Sequence, residues 1–228
     1  RVFWTGTSTP GHWAQGLREG IHIAHEGEYL QRTGAVPQYM DGLVVPEGAL
    51  DGMLGDFTTS SGTNGPSLMQ IGTATENMPT TGFHPDIGIL PRWTARYIIS
   101  QDERAKRVSI GNAEQAGSWS MHFRDDATGR PVSIDNHEGL NTAGWTCGIC
   151  SAPEQVSGSP DTAGDFDVAH QPSFSAVPFM VTGDYFFLEE MHFWATFNLL
   201  DTLPTQSGRG LSAGVIQTNT PRGQAWAL

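Results

Sequence analysis

Residues 169–200 read AHQPSFSAVPFMVTGDYFFLEEMHFWATFNLL, the most apolar and aromatic stretch of the chain, and the rest is organised around it. A turn of Thr182, Gly183 and Asp184 divides it, and the run from Asp184 to Leu200 contains no Gly or Pro, which predicts a helix of about five turns. At helical spacing Phe186, Phe193, Phe197 and Leu200 share one face, with Phe187, Met191 and Trp194 beside it. Tyr185, Glu189, His192 and Thr196 form a narrow polar stripe. A helix apolar around most of its circumference belongs inside a helical layer. Its stripe is then either the only wetted edge of a buried helix or the lining of a cleft, and the sequence leaves both open.

Working outward, 228 residues make one large domain or two small ones, and 38% hydrophobic residues supply a sizeable core. The 28 Gly and 14 Pro follow no period, which predicts long ordered loops and excludes a collagen-like repeat. A formal charge of −12 excludes a broad nucleic-acid or anionic-membrane footprint, because such partners need a basic surface. No uninterrupted apolar run reaches the roughly 18 residues that a spanning helix needs, and the N-terminus lacks a signal-peptide pattern. The chain as given is therefore expected to be soluble. Cys147 and Cys150 form a lone Cys-x-x-Cys, without the second pair of a structural zinc site. A local disulfide stapling a loop, in an oxidising compartment, is the first expectation and free thiols the alternative. Arg1 opens the chain without a methionine, and the run from Pro221 to Leu228 starts a helix that nothing terminates, so the expectation is a segment of a longer polypeptide.

In chain order, His22, His25 and Glu28 are spaced three apart, but Gly27 interrupts them and no metal or cofactor is assigned. Residues Glu28 to Gly34 predict a short helix closed by Gly34, and Pro46 to Leu54 another turn or two. From Asp56 to Thr81 the chain is rich in Thr, Ser, Gly and Asn, a long loop suited to covering a cleft. Pro91 opens a helix to Ser100 with Trp93 and Tyr97 on one face and Arg92, Arg96 and Ile99 on another. A second helix starts near Asp102 and Glu103 and runs to about Ala116, although Gly111 weakens it. Leu90 to Ala116 therefore reads as two antiparallel helices tightly joined, Pro172 to Leu200 as a second pair, and Pro221 as the start of a third. Between the pairs, Trp119, Met121 and Phe123 alternate with Ser120, His122 and Arg124, and Pro131 to Ile134 follows a polar turn, a β-hairpin signature. The expected division is 1–82, an N-terminal segment of short strands, short helices and the long loop, and 83–228, a helical-hairpin domain.

Four phrases carry a resemblance: HPDIGILPRW from His84 to Trp93, AHQPSF from Ala169 to Phe174, VTGDYFFLEEMHFWATFN from Val181 to Asn198, and RGQAWAL from Arg222 to Leu228. They resemble large uncharacterised bacterial and phage-borne proteins described as exo-rhamnogalacturonan-lyase-like, with the six-hairpin α/α toroid of many glycoside hydrolases and polysaccharide lyases. The resemblance implies a mainly α fold, an incomplete α/α toroid of antiparallel helical hairpins with long loops and a small β-hairpin insertion. It also implies a carbohydrate substrate, but carries over no catalytic residue.

In a toroid the loops converge at one rim, which makes His84, Asp86, Arg92, His122, Arg124, His170, Gln171, Tyr185, Glu189, His192 and Arg222 the candidates. A lyase acting beside a uronate needs a cation to neutralise the carboxylate and a base to take the neighbouring carbon-bound proton. His170, His192, Tyr185 and Arg222 are the expected catalytic set, and His84, Asp86, Arg92, Arg124, Gln171 and Glu189 the expected substrate-binding set. A hydrolase would instead pair Asp86 with Glu189 or Glu190 across one bond. Each residue also has a structural explanation: Asp86 as a helix cap, His170 on a loop carbonyl, Arg222 as an ion-pair partner of Glu189 or Glu190. Glu189 and Glu190 point about 100° apart on a helix and are not expected to share one small site. The leading expectation is a lyase-like carbohydrate-active protein, extracellular, cell-surface or virion-associated, whose partners are an acidic or complex polysaccharide and the remainder of its parent chain. The competing one is a non-catalytic structural or adhesive component of a surface or virion assembly, with self-assembly as its mark.

Overall fold

A computed structural model describes residues 26–39, 43–59, 65–67, 69–75, 88–119, 121–137, 140 and 173–200. These residues are mainly helical. The chain forms two compact units, Arg1–Gln38 and Tyr39–Leu228. In the first unit α1, Gly27–Arg32, ends at Gly34 with φ 74°, a left-handed turn that glycine adopts without strain.

In the second unit α2 is Glu47–Thr58, entered from Pro46. It outruns the expected end at Leu54 because Phe57 continues the buried series Leu50 and Met53 at helical spacing. This helix lies against α4, Glu103–Gln115, at Gly111. A Cβ there would fall 2.8 Å from Phe57 Cε1 and closer still to Cζ, so the glycine that costs α4 propensity is what lets Phe57 in.

α3, Arg92–Ser100, follows Pro91 and buries Trp93, Thr94, Tyr97 and Ile98, while Arg92, Arg96 and Ile99 stay partly open, the division expected from spacing. It reaches α4 through Gln101, left-handed at φ 54°, and Asp102, whose carboxylate caps α4 by accepting from Arg104 N at 2.8 Å. Arg104 also donates to Asp102, Glu47 and Asp51, at 2.7 Å each, and so ties the start of α2 to this turn. Across the α3–α4 contact the Thr94 and Ser109 hydroxyls share a buried hydrogen bond of 2.9 Å.

The expected hairpin over Ser118 to Ile134 is reduced to one antiparallel bridge, Arg124 to Pro131. Three features stop the ladder. The 3-10 turn Ala116–Ser118 occupies its start, Phe123 N turns back to Met121 O at 3.0 Å, and Pro131 has no N–H to give.

α5, Ala176–Thr182, accepts Pro178 in its first turn and ends at Gly183 with φ 68°. Asp184 accepts from Phe186 N at 3.0 Å and starts α6, Tyr185–Leu200, the expected continuous helix, packed on α5. Its buried side is Phe187, Phe193, Trp194, Phe197 and Leu200, as expected, but it includes Glu190 and Asn198. Phe186, expected inside, is 37% exposed and sits over Gly117. Phe174 joins the layers: its ring makes edge contacts with Trp93 of α3 at 5.4 Å, Trp119 at 6.0 Å and Trp194 of α6 at 4.9 Å.

Candidate functional site

The segment from Met121 to Arg124 buries Met121 and brings His122 and Arg124 to α6. There Arg124 meets Glu189 in a two-pronged pair, Nη1 to Oε1 at 3.0 Å and Nη2 to Oε2 at 3.0 Å, and Nη1 also donates to Gly129 O at 2.9 Å. His122 Nε2 lies 2.8 Å from Glu190 Oε2, and Glu190 is 3% exposed. Between the pairs stands Phe193, with the guanidinium carbon 4.5 Å above its ring centre and the His122 ring edge-on at 4.8 Å.

Protonation follows from the partners. His122 Nδ1 lies 2.8 Å from Trp119 O, and a carbonyl only accepts, so Nδ1 carries a proton. Nε2 then faces a carboxylate, an arrangement that favours the imidazolium. Burial pulls the His122 pKa down, but the hydrogen bond and charge of Glu190 outweigh burial, and the net shift is upward. Glu189 is held below the ordinary carboxylate range, chiefly by the Arg124 hydrogen bond, and Arg124 is shifted up by the same bond. Arg124 and Glu189 thus cancel as an ion pair. A second histidine–acid contact lies nearby in sequence: His137 Nε2 sits 3.1 Å from Asp125 Oδ2 and is the main cause of a lowered Asp125 pKa.

Among the sequence candidates, Arg124, Glu189, Tyr185 and His192 come together along α6, Tyr185 67% exposed and His192 exposed. On α6 Tyr185 stands four residues before Glu189 and His192 three residues after it. Arg92 stands at the start of α3, where its charge adds to burial in lowering the Arg96 pKa. His84, Asp86, His170, Gln171 and Arg222 lie outside the described residues, as do His22, His25, the Cys147–Cys150 pair and the helix expected at Pro221. Glu190 is the member that spacing alone does not bring in. Its signal was the polar phase of the 119–124 alternation, which offers two side chains, two residues apart, to two adjacent acids.

Chemically, His122 has both ring nitrogens engaged, Nδ1 on the Trp119 carbonyl and Nε2 on Glu190, so neither is free to act on a substrate. The exposed acid–base groups are Tyr185 and His192, beside a fixed carboxylate. Among the described residues no group of three His, Cys, Asp or Glu side chains is placed to hold a metal ion, and no helix is long and apolar enough to cross a membrane. In comparisons with known proteins, no family model, curated protein or solved structure matches the chain.

Proposed function

We propose that the chain is a carbohydrate-active, polysaccharide lyase-like protein that acts on or binds an acidic or complex polysaccharide outside the cell or on a cell or virion surface. In this reading its helices are the first hairpins of an incomplete α/α toroid, with the remainder of a parent polypeptide as partner. Support for the architecture comes from two successive packed pairs, α3 with α4 and α5 with α6, each joined through two residues. The observation that carries the function is the edge of α6 formed by exposed Tyr185 and His192 and half-buried Glu189, beside an arginine delivered from a separate segment. Tyr185 or His192 would then take a carbon-bound proton, with His170 and Arg222 as the further expected members of the set.

The test is a polysaccharide panel. Growth of the ultraviolet absorbance of an unsaturated uronate supports the lyase, and Y185F or H192A should then lower turnover by about 100-fold or more. New reducing ends without that absorbance support a hydrolase with paired carboxylates. Binding without either product supports the non-catalytic reading, a structural or adhesive component of a surface or virion assembly. One observation favours that second reading: Arg124 and Glu189 neutralise each other, and Glu190 is buried against His122, all within the chain itself. Binding to no polysaccharide defeats all three.

A further inference from the structure

His122 sits between two acceptors. Its Nδ1 lies 2.8 Å from Trp119 O, closing a turn in its own segment, and its Nε2 lies 2.8 Å from Glu190 Oε2 on α6. A carbonyl has no proton to give, and an ionised carboxylate has none either. Filling both contacts therefore takes two protons on the imidazole and carboxyl together, whether held as imidazolium with carboxylate or as neutral imidazole with carboxylic acid. With one proton fewer, either Trp119 O or Glu190 faces a bare lone pair at hydrogen-bond distance. Glu190 is 3% exposed, so leaving its carboxylate without a donor is costly.

The groups around the ring decide what it responds to. From its own segment come the Trp119 carbonyl and the Arg124 cation, and from α6 the Glu190 and Glu189 carboxylates and the Phe193 ring. Arginine stays charged, and Glu189 is held below the ordinary carboxylate range, so the Arg124–Glu189 pair keeps its charges from pH 6 to pH 9. The segment is thus fastened to α6 at two positions two residues apart, one indifferent to pH and one that needs two protons. Between them Phe193 is closed off from water, at 0% exposure.

We infer that the His122–Glu190 contact is a pH-operated latch, which fastens residues 121–125 to α6 while the pair holds two protons and releases them when one is lost, with Arg124–Glu189 as the pivot. Release opens the turn at Trp119 and uncovers Phe193. Burial lowers the His122 pKa and the hydrogen bond and charge of Glu190 raise it, the rise being larger, so opening lies above the ordinary histidine value of about 6.5. The latch is closed at lower pH and open at higher pH, whatever the chain binds.

Hydrogen exchange of the full chain across pH 6 to pH 9, corrected for the intrinsic effect of pH on exchange, tests this. The reporting amides are Trp119, Phe123, Asp125 and Val132, which donate to Ala116 O, Met121 O, Arg130 O and Phe123 O. Their protection should fall by about tenfold or more over this range, while the α3 and α4 amides change by less than about threefold. In E190Q the side-chain amide gives a proton to Nε2 of a neutral imidazole while Nδ1 donates to Trp119 O, so both contacts stay filled and the fall should vanish. His137, which contacts Asp125 at 3.1 Å, is the control on the same segment, and H137Q should keep the fall. Equal protection across the range in the wild type overturns the latch, as does a fall shared equally by α3 and α4. A fall that survives in E190Q or disappears in H137Q overturns it too. Should E190Q fail to fold, the His122 ring nitrogens decide by NMR: their titration must coincide in pH with the loss of amide protection, and a separate midpoint overturns the proposal.

Discussion

Replacing His122 by alanine would strip a buried carboxylate of its partner. Removing one member of a buried pair costs about 3–5 kcal/mol, and because the His122 side chain is 24% exposed the expected loss is near the lower end, read from urea denaturation. The groups facing this imidazole are the Glu190 carboxylate, the Trp119 carbonyl, the Phe193 ring and the Arg124 cation. Its pKa is raised in the folded chain, so its contribution is complete below the ordinary histidine value of about 6.5 and disappears as pH climbs through the raised one. The stability gap between wild type and H122A should therefore be widest near pH 5.5 and narrow by pH 9. A gap that widens with pH would mean the pair is held by something other than an imidazolium. At this scale the sequence was half legible. Alternation put His122 and Arg124 on one side of their segment, but the 100° between Glu189 and Glu190 hid that both acids would be used.

Helix boundaries were the most legible level, since Pro91, Asp102 and Gly183 act locally and need no tertiary knowledge. The failures were of two kinds. Phe57 lengthened α2 because a distant glycine made room for its ring, and the hairpin over 118–134 shrank because local turns claimed its hydrogen bonds. The first case gives a test. G111A gains about 1 kcal/mol of helix propensity, yet puts a Cβ into the Phe57 ring, and overpacking costs about 1–3 kcal/mol, so a net destabilisation of up to about 2 kcal/mol is expected in chemical denaturation. The smaller ring-free side chain of F57L should relieve the crowding, making the G111A/F57L chain more stable than the sum of the two single changes predicts. Strict additivity would show that α2 does not press on α4 at this point.

For the whole molecule, the formal charge of −12 acts on any polyanionic partner before contact is made. Repulsion of this kind is screened as the Debye length falls from about 30 Å at 0.01 M salt to about 8 Å at 0.15 M. Affinity for a polyuronate measured by calorimetry should therefore rise over that range, whereas a steep fall would reveal a local basic patch that dominates the average. Composition sets this average but not where the charges sit: the ion pairs of Arg104 and Arg124 depend on which helices meet.

The ring of Phe174, bordered by Trp93, Trp119 and Trp194, gives the second unit a built-in optical reporter. Three of the seven indoles are shielded from water around one phenyl group, so their emission belongs at the blue end of the tryptophan range. Withdrawal of Phe174 from between Trp93 and Trp194 would hydrate them, and a red shift on warming would time that event without any added dye.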